Sequence, residues 1–271
     1  MRATSQASLQ AATDRWEPVL RQAGASAADY GEQLFAVVDA LDHSAGLRRA
    51  LTEPTRAGDD KAAVVAQILG NKVAEPVLDL VSGMVRSRWS ADTDLADSVD
   101  ELATDSYLAA AQADDQLTQL EEDVFRLTRM LAEQRELRFA LGDRDASAQR
   151  RVTLFTDTVG GRLGTQAQAL VTRAVASLRA RSLSAALNRI SELAARRRQQ
   201  LVAVVTSAIP MTTAQQDRLS GILAGAYGRD VQLNIAVDQG VMGGLRIQVG
   251  DEVVDATIGA RLDNARRRLA G

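Results

Sequence analysis

Apolar side chains recur every three or four residues along most of this chain, and every second residue near its end. Leu34, Val37, Val38 and Leu41 fall at i, i+3, i+4 and i+7, and Val124, Leu127 and Leu131 repeat the stripe further on. Such a stripe marks one face of an amphipathic helix. A Leu47–Leu51 or Leu137–Leu141 pair follows each stripe. Next comes a polar loop, holding Pro54 and Gly58 in one case and Gly142 and Asp143 in the other. A further helix then runs to Gly70 or Gly160, where a glycine is expected as C-terminal cap. Two more helices close each copy.

The correspondence is an internal duplication. A shift of 90 residues aligns Glu32–Ser87 with Glu122–Ser177 without a gap, and twelve of the 56 positions are identical. They include Glu32/Glu122, Phe35/Phe125, Arg48/Arg138, Gly70/Gly160 and Val85/Val175, mostly at helical spacing. One further residue of slip brings Glu101-Leu102-Ala103 onto Glu192-Leu193-Ala194. The pattern therefore predicts two small helical bundles in tandem, over residues 1–105 and 106–200.

Residues 201–271 read as a small α+β module. Leu201–Ser207 fits a buried strand, and Thr212 with Gln215 has capping-box spacing for a helix to about Tyr227. Val231, Leu233, Ile235 and Val237 alternate as in a strand, and so do Leu245, Ile247 and Val249. Gly250-Asp251 is expected as a turn into a third partner, Glu252–Ala256. A basic helix from Arg261 to Leu269 is expected to end the chain. The fold class is mainly α, two tandem bundles followed by the α+β module.

Composition agrees with close helix packing: 47 of the 271 residues are alanine and only nine are aromatic. The absence of cysteine excludes disulfides, thiolate catalysis and Cys-zinc sites. With His43 the one histidine, multi-His metal sites are excluded, and a Ser-His-Asp triad would have to run through it. No run approaches about 20 apolar residues, and no secretory signal opens the chain, so a soluble, cytoplasmic chain is expected. The net charge of −3 argues against a general nucleic-acid binder. It is, however, a cancellation. Residues 1–115 hold 19 acids and 10 bases, whereas residues 116–205 hold 9 acids and 15 bases. Opposite fields on two related bundles point to different partners or to contact with each other.

The remaining candidates for chemistry have plainer readings. His43 is expected at a helix end. The carboxylates of Asp59-Asp60, Asp114-Asp115 and Glu121-Glu122-Asp123 point about 100° apart on a helix and form solvated faces. Gly243-Gly244 precedes a strand, not the helix N-terminus a phosphate cradle needs. Arg196–Arg198 and Arg266–Arg268 suit helix C-termini and lack the aromatic platform of a nucleic-acid groove. No catalytic residue, cofactor or metal is expected.

The C-terminal module carries the most specific motifs. Val204 to Thr212, with Pro210, resembles the strand and Pro-Leu-Thr helix start of the delta subunit of bacterial F-type ATP synthase. The oligomycin-sensitivity-conferring protein is the mitochondrial relative. Asp238, Gly243 and Gly244 look like that family's strand-glycine-strand signature. Gly250, Asp251 and Asp255, followed by Arg261, are similar to its closing turn and basic helix. Tyr107 to Leu193 resembles its helical N-terminal domain. Ala256 departs from the family's usual glycine, and the first bundle looks like a second copy of the helical domain, as in enlarged actinobacterial forms.

The resemblance implies a non-catalytic stator subunit, one per complex, on the cytoplasmic face of the cell membrane. Its implied partners are the alpha subunits of the catalytic head and the b subunit of the peripheral stalk, without nucleic acid. A generic helical adaptor outside the ATP synthase would share the bundles but not the C-terminal motifs.

Overall fold

The computed structural model describes residues 2–179, 182–199, 201–227, 231–238, 244–249 and 252–255. Two compact units divide the chain, residues 1–194 and 195–271.

The helices between residues 3 and 199 carry the duplication in their bounds. They are α1 (Ala3–Ala23), α2 (Ala27–His43), α3 (Ala45–Thr52), α4 (Gly58–Leu69), α5 (Glu75–Arg86) and α6 (Asp92–Ala113), then α7 (Leu117–Glu133), α8 (Arg135–Gly142), α9 (Ala148–Thr158), α10 (Thr165–Ser177) and α11 (Leu183–Gln199). Helices α7 to α10 each start 90 residues after α2 to α5, and α11 starts 91 after α6. Helix α6 also stands where the second copy needs its own α1. Ala103-Thr104-Asp105 repeats Ala12-Thr13-Asp14 at the offset of 91, and both alanines are fully buried. The expected division between residues 105 and 106 falls inside α6, so the two bundles share a helix there instead of meeting at a linker. Buried residues occur all round α6, which is how a helix enclosed by neighbours reads.

Matched positions make matched contacts. The Arg48 guanidinium donates to the Leu41 carbonyl at 2.7 Å, and Arg138 donates to Leu131 at 3.4 Å. Both satisfy carbonyls that the ends of α2 and α7 leave free. The Gln33 side chain accepts from the Ala74 amide at 2.6 Å, and the Asp123 carboxylate from Gly164 at 2.7 Å, tethering α5 and α10 by their N-caps. Lys61 and Arg151 are both buried. Arg151 donates to the carbonyls of Val175 and Ala176 at 2.9 Å, where cationic charge meets the negative end of α10. Desolvation pushes the Lys61 ammonium below its ordinary range, against the pull of Glu53.

Gly70 is the C-cap of α4 as expected, whereas in the second copy Val159 is the C-cap of α9 and Gly160 follows it. Gly70 has φ −51, and the positive φ falls one residue later in both copies, at Asn71 (62) and Gly161 (80). The glycines are needed for close approach instead: a Cβ would strike the carbonyl oxygen of Ala66 or of Thr156.

One hydrophobic core runs through both copies. It includes Trp16, whose indole N–H donates to Ser106 Oγ at 3.0 Å, linking α1 to α6. In the first copy the core keeps an apolar cavity of about 20 Å³ beside Val37, Leu41, Val65 and Val85. The second copy has Phe155 at the position of Val65, fully buried.

The second unit contains β1 (Leu201–Ser207), α12 (Thr213–Tyr227), β2 (Val231–Val237), β3 (Leu245–Val249) and β4 (Glu252–Asp255). The sheet order is β2-β1-β3-β4, with β1–β2 parallel and the other pairs antiparallel. Helix α12 makes the crossover that a parallel pair requires. Its start is the expected capping box: the Gln215 amide donates to Thr212 Oγ1 and the Thr212 amide to Gln215 Oε1, at 3.4 and 2.9 Å. Val205, Leu223, Val231 and Ile247 form this unit's own small core.

Candidate interaction sites

The motif residues of the sheet gather at one end. The Asp238 amide donates to the Ser207 carbonyl at 2.9 Å, extending the parallel ladder past β2, while Ser207 pairs with Leu245 at the start of β3. Pro210 is exposed in the turn that leaves β1, and Gly244 enters β3 with φ 89, a conformation open to glycine. Asp255 pairs with Arg246 across β3 and β4, at the same end. Exposed apolar side chains flank it: Ile209 after β1 and Val237 at the end of β2. Gly243, Gly250, Asp251 and Arg261 lie outside the described residues, as do the expected closing helix and Arg266–Arg268.

Sequence charge finds its counterpart in the first unit, where the two bundles contact each other. Both terminal nitrogens of Arg173 on α10 lie 2.8 Å from carboxylate oxygens of Asp39 on α2. Its guanidinium sits 4.7 Å from the ring centre of Phe35, and Phe35 stacks on Tyr107 at 5.8 Å. Gly31 lets α2 approach this closely, since a Cβ there would lie 2.6 Å from the Tyr107 ring. Arg179 is the hub. It donates to Asp42 and, at 2.5 Å, to Asp97, and lies 3.8 Å from Asp100. Arg189 on α11 reaches Glu101. Leu178, left-handed with φ 45, turns the chain after α10 immediately before Arg179. Burial opposes the Arg179 charge, but the carboxylates of Asp42, Asp100 and Asp97 outweigh it and hold the guanidinium above its ordinary range. Asp100 moves the other way: desolvation raises its carboxyl, and Arg179 and Arg173 offset only part of this.

Identical residues can end in opposite surroundings. Phe35 is 7% exposed, whereas its repeat partner Phe125 on α7 is 64% exposed. Phe139 on α8 is 58% exposed, with the guanidinium carbons of Arg135 and Arg138 at 5.3 and 5.8 Å from its ring centre.

The other candidates took structural places. His43 is exposed at the end of α2, its Nδ1 hydrogen-bonded to the Asp39 carbonyl at 2.6 Å. Asp59 pairs with Arg86, Asp115 sits in a left-handed turn, and Asp123 is the tether of α10. Arg196–Arg198 fall in the last turn of α11. Among the described residues no cluster of acids and histidine could hold a metal, and no helix is long and apolar enough to cross a membrane.

A duplicated helical body and a small sheet unit, each with exposed large apolar side chains, have the outline of an assembly protein. Comparison with known proteins gives the family. Residues 103–269 match the family model of the ATP synthase delta (OSCP) subunit. The ATP synthase subunit delta of Beutenbergia cavernae is 54% identical over the whole of both chains. That of Streptomyces griseus is 42% identical, again over both whole chains. That of Streptomyces avermitilis is 44% identical over 260 residues, 96% of this chain and 95% of the relative. The chain belongs to the ATP synthase delta (OSCP) subunit family, a non-catalytic component of the ATP synthase complex. The matched stretch begins within α6 and takes in the second copy and the sheet unit; the relatives also cover the first copy.

Proposed function

We propose that this subunit is a stator link, joining the alpha subunits of the catalytic head to the b subunit of the peripheral stalk, so that proton-driven rotation is coupled to ATP synthesis. It would sit peripherally at the cytoplasmic face of the cell membrane, one copy per complex. The observation that carries the reading is the family match across two unlike units, one helical and one built on a sheet. A tether that must hold two partners at once benefits from two separate surfaces, because the second contact becomes intramolecular once the first is made. In this reading the basic second bundle receives a helix of the head and the sheet end built by Pro210, Asp238, Gly244 and Asp255 docks the stalk. The acidic first bundle braces the second through the Arg173 and Arg179 pairs. The test is bridging: immobilised b subunit captures the full-length chain, and the captured chain then captures the catalytic head. Capture of either partner only in the absence of the other refutes the role.

A further inference from the structure

The two copies differ in how completely they fill their interiors. The cavity of about 20 Å³ in the first copy lies among α2 to α6, and every side chain lining it is aliphatic. At three of the lining positions the second copy carries larger groups: Leu127 for Val37, Met130 for Ala40 and Phe155 for Val65. Leu127 and Phe155 are buried, and Met130 packs against the core. Ala186, at the position of Leu95, returns only part of that volume. The same frame therefore holds more apolar volume in the second copy than the first copy supplies from its own side chains.

The cavity also has a way in. Ala40 is exposed and Ile68 and Leu69 are half-buried, so part of its lining reaches the surface. Water is a poor occupant, because the space offers none of the polar partners that a trapped molecule needs. A charged or hydrogen-bonding guest would lose its hydration without compensation. A neutral hydrocarbon group suits the aliphatic wall, through dispersion contacts and the water shed on entry. A ring is larger than the closed space, and the half-buried Ile68 and Leu69 are the side chains free to swing aside for it.

We infer that the first copy holds a binding site for a small, uncharged apolar ligand of the size of one aromatic ring. The ligand enters beside Ala40, Ile68 and Leu69 and takes the volume that Leu127, Met130 and Phe155 fill in the second copy. Once bound, it completes the packing of the first copy and so stiffens the added part of the subunit. Neither the head nor the stalk takes part, so the site and the stator reading stand or fall separately.

The test uses the full-length chain, methyl-labelled at valine, leucine and isoleucine for NMR, titrated with benzene and separately with xenon. Benzene should give saturable shifts at Val37, Val65, Ile68 and Leu69 and none at Leu127 or Val175. An affinity of about millimolar is expected, since so small a guest has few atoms to bind with. Val65→Ile, and separately Ala40→Met, should weaken benzene binding about tenfold by filling the space, with a melting temperature no lower than the parent's. Shifts with xenon alone overturn the ligand site and leave a packing void. Benzene shifts that never saturate, that appear equally in the second copy, or that survive both substitutions overturn it as well.

Discussion

Replacing Arg179 with methionine removes the hub of the seam while keeping most of its aliphatic bulk. Its side chain is 17% exposed, and its partners Asp42, Asp97 and Asp100 belong to α2 and α6. Ion pairs at exposed sites contribute about 0.2–1 kcal/mol each, so three pairs at a mostly covered guanidinium fall toward the upper part of that range. Their loss also leaves three carboxylates facing one another, with Arg173 the remaining cation acting on Asp100. The combined cost is about 2–3 kcal/mol. For a unit of this size each kcal/mol lowers the melting temperature by about 2–4 °C, giving a drop of about 4–12 °C. Urea denaturation at low and moderate salt measures it, and the cost should shrink only partly with salt because the pairs are half-covered. Adding Asp100→Asn to Arg179→Met should restore about 1 kcal/mol, since removing one of the stranded charges relieves the cluster. A loss below about 0.5 kcal/mol, or one indifferent to Asp100, would show that packing of α2 on α6 holds the copies together and the charges are incidental.

Other outcomes follow from the same geometry. Phe35→Ala should cost about 3–5 kcal/mol in chemical denaturation, whereas Phe125→Ala should stay within about 0.5 kcal/mol, although the two residues are repeat partners. Val65→Ile should fill part of the cavity of about 20 Å³ and gain about 0.5 kcal/mol, while Val65→Phe should overpack it unless the neighbouring helices shift. Desolvation raises the Asp100 carboxyl above its unfolded value, so its contribution to stability is present below the unfolded pKa and lost as pH rises through the folded one. Asp100→Asn should therefore raise the melting temperature at pH 7, and the difference from the parent should vanish below about pH 4; a difference that grows on acidification refutes this.

Much of this architecture is legible in the residues. The 90-residue offset, its later slip of one, the capping box at Thr212 and the strand alternation each rest on short-range spacing, and each reappears in the element bounds. Shared use of α6 is not legible in the same way. A helix packed on several sides loses the one-sided stripe that marks copy membership, and the three residues repeating Ala12-Thr13-Asp14 are too few to stand out in an alanine-rich chain. Nor could the sequence separate Phe35 from Phe125. Their difference lies in Gly31 and Tyr107, which let α2 close on α6, whereas α7 has Glu121 at the position of Gly31. The opposed charges of the bundles were visible as totals, but the pairing of Asp42 and Asp97 with Arg179 depends on a left-handed Leu178 and on helix placement that no local pattern records.

Sharing α6 also changes what the duplication means mechanically. A domain added through a linker can swing, and its stiffness depends on whatever surface happens to lie between the neighbours. Here the junction is a continuous helix of 22 residues, about 33 Å of hydrogen-bonded rod, built into both copies along its whole length. Any twist of one copy against the other must bend that rod or pull it out of the core that the copies share. The extra copy thus enlarges the helical unit without introducing a joint, as a splice extends a beam and a hinge does not.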